Sequence, residues 1–185
     1  MTGENIFLTE EQKLIQQTAR EFAKKEVAPK AKELDETGRY PKEIIQQLAA
    51  MGFMGMTVPE QYGGAELDAV SYALALEEIS AGCASTGVIM SVNNSLVCSP
   101  LMYFGSEEQK KKYLPDIASG KKLAAFAITE PNAGSDAGAI QTIAKKEGDN
   151  YILNGTKCFI TNAGEAEVYT VIAMTDKTKG SRGAS

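Results

Sequence analysis

The chain has 185 residues, 43% of them hydrophobic and 23% charged, with a formal net charge of −5. That is enough for a core in one or two soluble domains, and there is no basic surplus to recruit nucleic acid or an anionic membrane. There is no histidine, and Cys83, Cys98 and Cys158 are scattered, which excludes Ser-His and Cys-His nucleophiles and offers neither a disulfide framework nor a zinc spacing.

No apolar run reaches the length of a membrane span, and the start, MTGENIFLTEEQ, lacks the basic residues and apolar core of a secretory leader. The odd cysteine count fits a reducing, bacterial-cytoplasm-like compartment. Thr9-Glu10-Glu11-Gln12 is a capping box, after which Leu14, Ile15, Ala19, Phe22, Ala23 and Val27 recur at helical spacing. Pro29 is expected to interrupt or kink this helix, and Thr37-Gly38 to close it. Pro41 suits a first helical position before Ile44, Ile45, Leu48 and Ala49, with Gly52 as the stop. Val58 to Gly64, VPEQYGG, reads as a loop.

Leu67 to Ile79 reads as an amphipathic helix. Ser85 to Phe104 reads as a largely apolar, buried one, with Asn93, Asn94 and Pro100 inside it. Ser106-Glu107-Glu108-Gln109 is a second capping box, opening a charged helix expected to end near Pro115. After Gly120 the texture changes. Leu123 to Ile128 reads as a strand. Ala139 to Ala144 and Tyr151 to Leu153 read as a hairpin about Gly148-Asp149-Asn150. Lys157 to Thr161 and Val168 to Met174 read as further strands. The tail DKTKGSRGAS reads as a polar loop that closes no element. The fold class expected is α+β: an all-α domain over residues 1–120, then the first part of an antiparallel β-domain over 121–185. Uncovered strand edges would make the chain part of a longer protein.

TEPNAGSD, Thr129 to Asp136, follows the first strand. Gly134 can take left-handed dihedrals and blocks no approach, successive N–H groups in such a turn cradle anions, and Ser135 adds a donor. Thr129 at the strand end can bond a flat heteroaromatic ring, and Pro131 stiffens the turn. A dinucleotide would suit this equipment; so would a plain loop in which Ser135 or Asp136 caps a short turn. Downstream, Lys157 to Gly164 again runs strand then polar turn. Phe159 is either a ring to stack on a cofactor or a buried strand aromatic, and Thr161 is a second hydroxyl. Leu96 and Ser99 in SVNNSLVCSPL are pocket or core residues, and Lys110-Lys111-Lys112 is a solvated helix face or a contact for a phosphate.

Taken together, TEPNAGSD after Phe126-Ala127-Ile128, FITNAG, LTEEQKLIQQTAREFAKKEVAP, MGFMGMTVPEQYGG and FGSEEQKKKYLPDIASGKKLAAFAITEP resemble the acyl-CoA dehydrogenase family over the whole chain, closest to its short-chain, butyryl-CoA type. The resemblance implies an N-terminal α-domain and part of a middle β-domain, with the C-terminal helical domain and its catalytic glutamate outside this chain. It implies FAD, held by Phe126, Ala127, Ile128, Thr129, Glu130, Pro131, Asn132, Ala133, Gly134 and Ser135 and contacted by Phe159, Ile160 and Thr161. Phe159 stands where many members carry Trp. Ser135 would also meet the CoA arm, Leu96 and Ser99 would help wall the acyl pocket, and a phosphate at Lys110-Lys111-Lys112 would be that of CoA. The resemblance further implies a short-chain acyl-CoA substrate, an electron-transferring flavoprotein as acceptor and a homotetramer. Glu77, Glu78, Glu130 and Asp136 read as surface or loop-stabilising carboxylates. Rival readings are an acyl-CoA oxidase, a branched-chain or glutaryl-CoA dehydrogenase, a related flavin monooxygenase, or a non-catalytic module of the same fold.

Overall fold

The computed structural model describes residues 7–185. The first six residues, on which part of the expectation of no leader rests, lie outside the described residues. The chain divides into two compact units between Lys122 and Leu123.

In the helical unit, α1 (Glu10–Phe22) opens on the Thr9 box. Gln12 N–H donates to the Thr9 hydroxyl over 3.2 Å, and Thr9 N–H donates to the Gln12 side chain over 3.0 Å. The chain then widens into a π-helical turn (Ala23–Val27) and continues as α2 (Ala28–Thr37), with Pro29 in its first turn. In that position the missing proline N–H interrupts no hydrogen bond of the helix interior. Gly38 ends α2 at φ 64, a left-handed cap that glycine adopts without a Cβ clash. Pro41 caps α3 (Lys42–Ala50), whose Ile44, Ile45 and Leu48 are buried.

The irregular stretch from Phe53 to Val58 is the centre of this unit. Phe53, Met54, Met56 and Val58 are all buried. A buried loop must find partners for its backbone, and here they come from two sides. The 65–67 backbone donates to Gly55, Val58 and Met56 carbonyls. From the other side Asn93 donates to Met54 O over 2.8 Å. Asn94 donates to Phe53 O over 2.8 Å and accepts from Met56 N–H over 2.8 Å. Both asparagines sit in a π-helical segment (Val92–Cys98) between α5 (Ala84–Ser91) and α6 (Ser99–Phe104). The single apolar helix expected over 85–104 is therefore interrupted where its polar pair turns inward.

Asp68 caps α4 (Ala69–Gly82), which lies against α1 and is tied to it by the Arg20–Glu78 ion pair at 2.6 Å. The helix α7 (Glu107–Ala118) opens on the Ser106 box and runs past Pro115, its expected end. Buried Leu114 and Ile117 on either side hold it, so packing overrides the proline. Lys111 and Lys112 are exposed, Lys112 over the Tyr113 ring at 5.1 Å, whereas the Lys110 side chain is only 17% exposed and pairs with Glu107.

In the second unit β1 (Ala124–Ala127) pairs with β4 (Val168–Val171), Ala124 opposite Val168, and β2 (Ile143–Glu147) pairs with β3 (Asn150–Asn154), Ile143 opposite Asn154. The hairpin is antiparallel as expected; β1 and β4 run parallel, because the chain between them crosses over through the hairpin and the following loop. Ala139, expected to open the hairpin, ends a short 3-10 turn (Ala137–Ala139) instead. Lys157 to Thr161 is not a strand: Phe159 and Asn162 have φ of 54 and 71, which breaks any ladder. The tail is not an open loop either. Asp176 opens 3-10 turns over Lys177–Gly183, and Ser185 and Ala173 exchange backbone hydrogen bonds of 2.9 and 2.8 Å. Ala133, Ile140 and Met174 form a small core under this return.

Candidate cofactor site

At the end of β1 the backbone turns sharply. Glu130 and Ala133 exchange backbone hydrogen bonds of 3.0 Å each, closing a tight turn with Pro131 and Asn132 exposed at its tip. The exposed residues Gly134, Ser135 and Asp136 follow. Asp136 stands at the N-cap of the 3-10 turn after them, but neither its side chain nor that of Ser135 makes a cap hydrogen bond, so side-chain capping does not account for this stretch. Gly134 is not in the left-handed region, and a Cβ there would meet nothing within 4 Å. The expected dihedral reason for this glycine therefore fails, and the fold itself leaves the position open.

The two stretches singled out in the sequence are brought together. Cys158 N–H donates to Thr129 O over 3.0 Å, and Lys157 Nζ donates to Ile128 O over 2.8 Å. The same ammonium pairs with Glu130 Oε1 at 2.8 Å. Gln141 N–H donates to the second Glu130 oxygen over 2.6 Å, and Thr142 N–H to the first over 3.0 Å. Asn162 fastens the far end, donating to Ala124 O over 2.9 Å.

Glu130 is thus not a surface group. It is 6% exposed, and its carboxylate is occupied by loop-bracing donors. Burial pushes its pKa up, but the Lys157 ammonium, Thr142 and the Gln141 N–H outweigh that and hold it down at about 2. A carboxyl held below its ordinary value of 4.5 contributes stability above that pH and loses it as the pH falls through about 2. Glu130→Gln should therefore flatten the fall in melting temperature between these two values relative to wild type, as read by thermal melts across that window.

Phe159 is 93% exposed at φ 54, the opposite of a buried strand aromatic. Holding a side chain in that region costs roughly 1–2 kcal/mol, and an exposed ring returns none of it within the chain. The hydroxyls of Thr129, Ser135 and Thr161 make no hydrogen bond among the described residues. Phe126 and Ala127 lie in β1, and Ile128 and Ile160 are half-buried beside the junction. In the helical unit Leu96 is 42% exposed on the π segment, while the Ser99 hydroxyl donates to Asn94 O over 3.2 Å and is taken up locally. Cys98 is buried, which pushes its thiol up to about 12 and leaves it inert. Lys157 was not anticipated as a site residue: nothing local marks a lysine whose partner lies in another loop.

Comparison with known proteins decides the family. The family model for the acyl-CoA dehydrogenase N-terminal domain matches residues 9–121, and that for the middle domain matches residues 125–185. The chain belongs to the acyl-CoA dehydrogenase family. A short-chain specific acyl-CoA dehydrogenase of Clostridium acetobutylicum is 51% identical over 96% of this chain and 47% of its own length. The solved butyryl-CoA dehydrogenase of Megasphaera elsdenii is 45% identical with a TM-score of 0.91, over 96% of this chain and 47% of that one. A glutaryl-CoA dehydrogenase of Mycobacterium smegmatis, solved in complex with FADH2, is 36% identical with a TM-score of 0.89, over 94% and 45%. The chain thus spans about half the length of the acyl-CoA dehydrogenases it matches. The helical N-terminal domain and the start of the β middle domain are present in it, and the family's flavin suits what the second unit offers: an outward aromatic ring beside idle hydroxyl donors.

Proposed function

We propose that this chain is the N-terminal portion of an FAD-dependent acyl-CoA dehydrogenase that converts a short-chain, butyryl-CoA-like thioester to the trans-2-enoyl-CoA. The observation that carries the reading is Phe159, exposed and held at positive φ next to Thr129 through the Cys158–Thr129 hydrogen bond. When bound, FAD supplies the acceptor for the two electrons that leave the acyl β-carbon as hydride.

The chain's own residues do the binding and orienting. Phe159 would cover the flavin ring and keep water from it. Thr129 and Thr161 would offer it hydrogen-bond donors, which favour the reduced, negatively charged form. Ser135 and the open backbone at Gly134 receive the polar arm of FAD, and Ser135 also meets the CoA arm. Leu96 walls the acyl chain. The α-proton, acidified by the thioester, needs a carboxylate base. Glu130 is consumed by Lys157, Gln141 and Thr142, and Glu78 by Arg20. By the family resemblance the base comes from the part of the protein outside this chain, and the chain alone is expected to turn nothing over. The same reading gives the complete enzyme an electron-transferring flavoprotein as acceptor and a homotetrameric assembly.

Anaerobic titration of the complete gene product with butyryl-CoA tests this. Bleaching of the visible flavin band near stoichiometry is expected. A flavin band that butyryl-CoA leaves intact sinks the short-chain assignment, and a colourless protein that takes up no FAD sinks the flavoprotein reading.

A further inference from the structure

We infer that the Glu130–Lys157 pair is a positioning device for the flavin site: it sets the spacing of the loops that carry Thr129 and Thr161, without itself touching the cofactor. The inference rests on the flavoprotein reading above and assigns the pair a role within it.

Three observations carry it. The pair is nearly closed to solvent, with side chains 12% and 6% exposed. Its ammonium grips the other loop on both sides of Thr129: Lys157 Nζ bonds Ile128 O, the residue before Thr129, and Glu130, the residue after it. Lys157 also precedes Cys158, whose N–H grips Thr129 O. The ammonium is thus one residue from the backbone clamp on each strand of the junction. Glu130 in turn anchors the junction to the backbone N–H groups of Gln141 and Thr142. A lysine here joins a carbonyl and a carboxylate on one loop from the other loop. A neutral side chain would fill the space and leave the spacing unset. Donors aimed at a ring lose much of their effect when displaced by about an ångström.

The test uses the complete gene product, as holoenzyme and as flavin-stripped apoprotein, with Lys157→Met, Lys157→Arg and the double variant Glu130→Gln/Lys157→Met. Three quantities are read: the FAD dissociation constant from fluorescence quenching, the flavin midpoint potential at saturating FAD, and the apoprotein melting temperature. Lys157→Met should weaken FAD binding about tenfold or more, because the Thr129 and Thr161 donors it displaces meet the ring less well. It should also lower the midpoint potential, since misplaced donors stabilise the reduced ring less. Lys157→Arg should restore most of both. The double variant, which buries no lone charge, should melt close to wild type yet still bind FAD weakly; this separates positioning from folding. Should the double variant recover FAD affinity and potential along with its melting temperature, the pair is a folding element only and the inference is overturned. It is equally overturned if Lys157→Met binds FAD like wild type at an unchanged potential. A wild-type protein that takes up no FAD overturns the flavoprotein reading and this inference with it.

Discussion

Asn94→Ala is expected to destabilise the helical unit by about 3–5 kcal/mol. The Asn94 amide is buried and fully used: it donates to Phe53 O and Met90 O and accepts from Met56 N–H. Truncation leaves Met56 N–H and Phe53 O without this partner in a segment whose neighbours are themselves buried. Each orphaned buried group costs about 1–3 kcal/mol, and the cavity adds to it. The effect should show as a lower urea midpoint in the helical circular dichroism signal with little change in slope. Asn94→Asp, nearly the same shape, keeps the acceptor for Met56 but gives up both donations and buries a charge, so it should be no better tolerated. A loss below about 1 kcal/mol for the alanine variant would mean that the buried loop re-forms its hydrogen bonds elsewhere, and that the asparagine pair does not hold the centre of the unit.

Phe159→Gly is expected to separate binding from stability. Glycine adopts φ 54 freely, so the change should leave the melting temperature unchanged or raise stability by up to about 1 kcal/mol, strain relief being offset by the entropy of a freer unfolded chain. FAD affinity should fall about tenfold or more with the loss of the ring face. Phe159→Trp should retain or strengthen binding. If the glycine variant melted well below wild type, the ring would have a packing role that its 93% exposure contradicts. If FAD affinity were unmoved, Phe159 would not be a wall of the site.

Much of the helical unit was legible in the sequence because its signals are local. The Thr9 and Ser106 boxes and the Gly38 stop each act within a turn of the residue that carries them. What was not legible depends on distant partners. Pro115 reads as a terminator, yet the helix continues because Leu114 and Ile117 are buried beside it. Asn93 and Asn94 look like defects in an apolar helix until the buried loop they serve is known.

The β unit follows the same rule. The run Lys157 to Ile160 is composed like a strand but bends at Phe159, and the polar tail pairs with Ala173 although nothing in its composition suggests a partner. The two site stretches could be named from their residue types, and Thr129 and Phe159 were among those named. The staple between them could not, because Glu130 and Lys157 are far apart in sequence and each alone is an ordinary surface residue type.

The stitched loops at the end of β1 are proposed to form the flavin site. Amide hydrogen exchange on the complete gene product, with and without FAD, tests this most directly. Added protection is expected over residues 126–136 and 158–164, with the β2–β3 hairpin turn at Gly148-Asp149 unchanged. Bound FAD that leaves both stretches exchanging at their apoprotein rates, with protection arising elsewhere, would contradict the proposal.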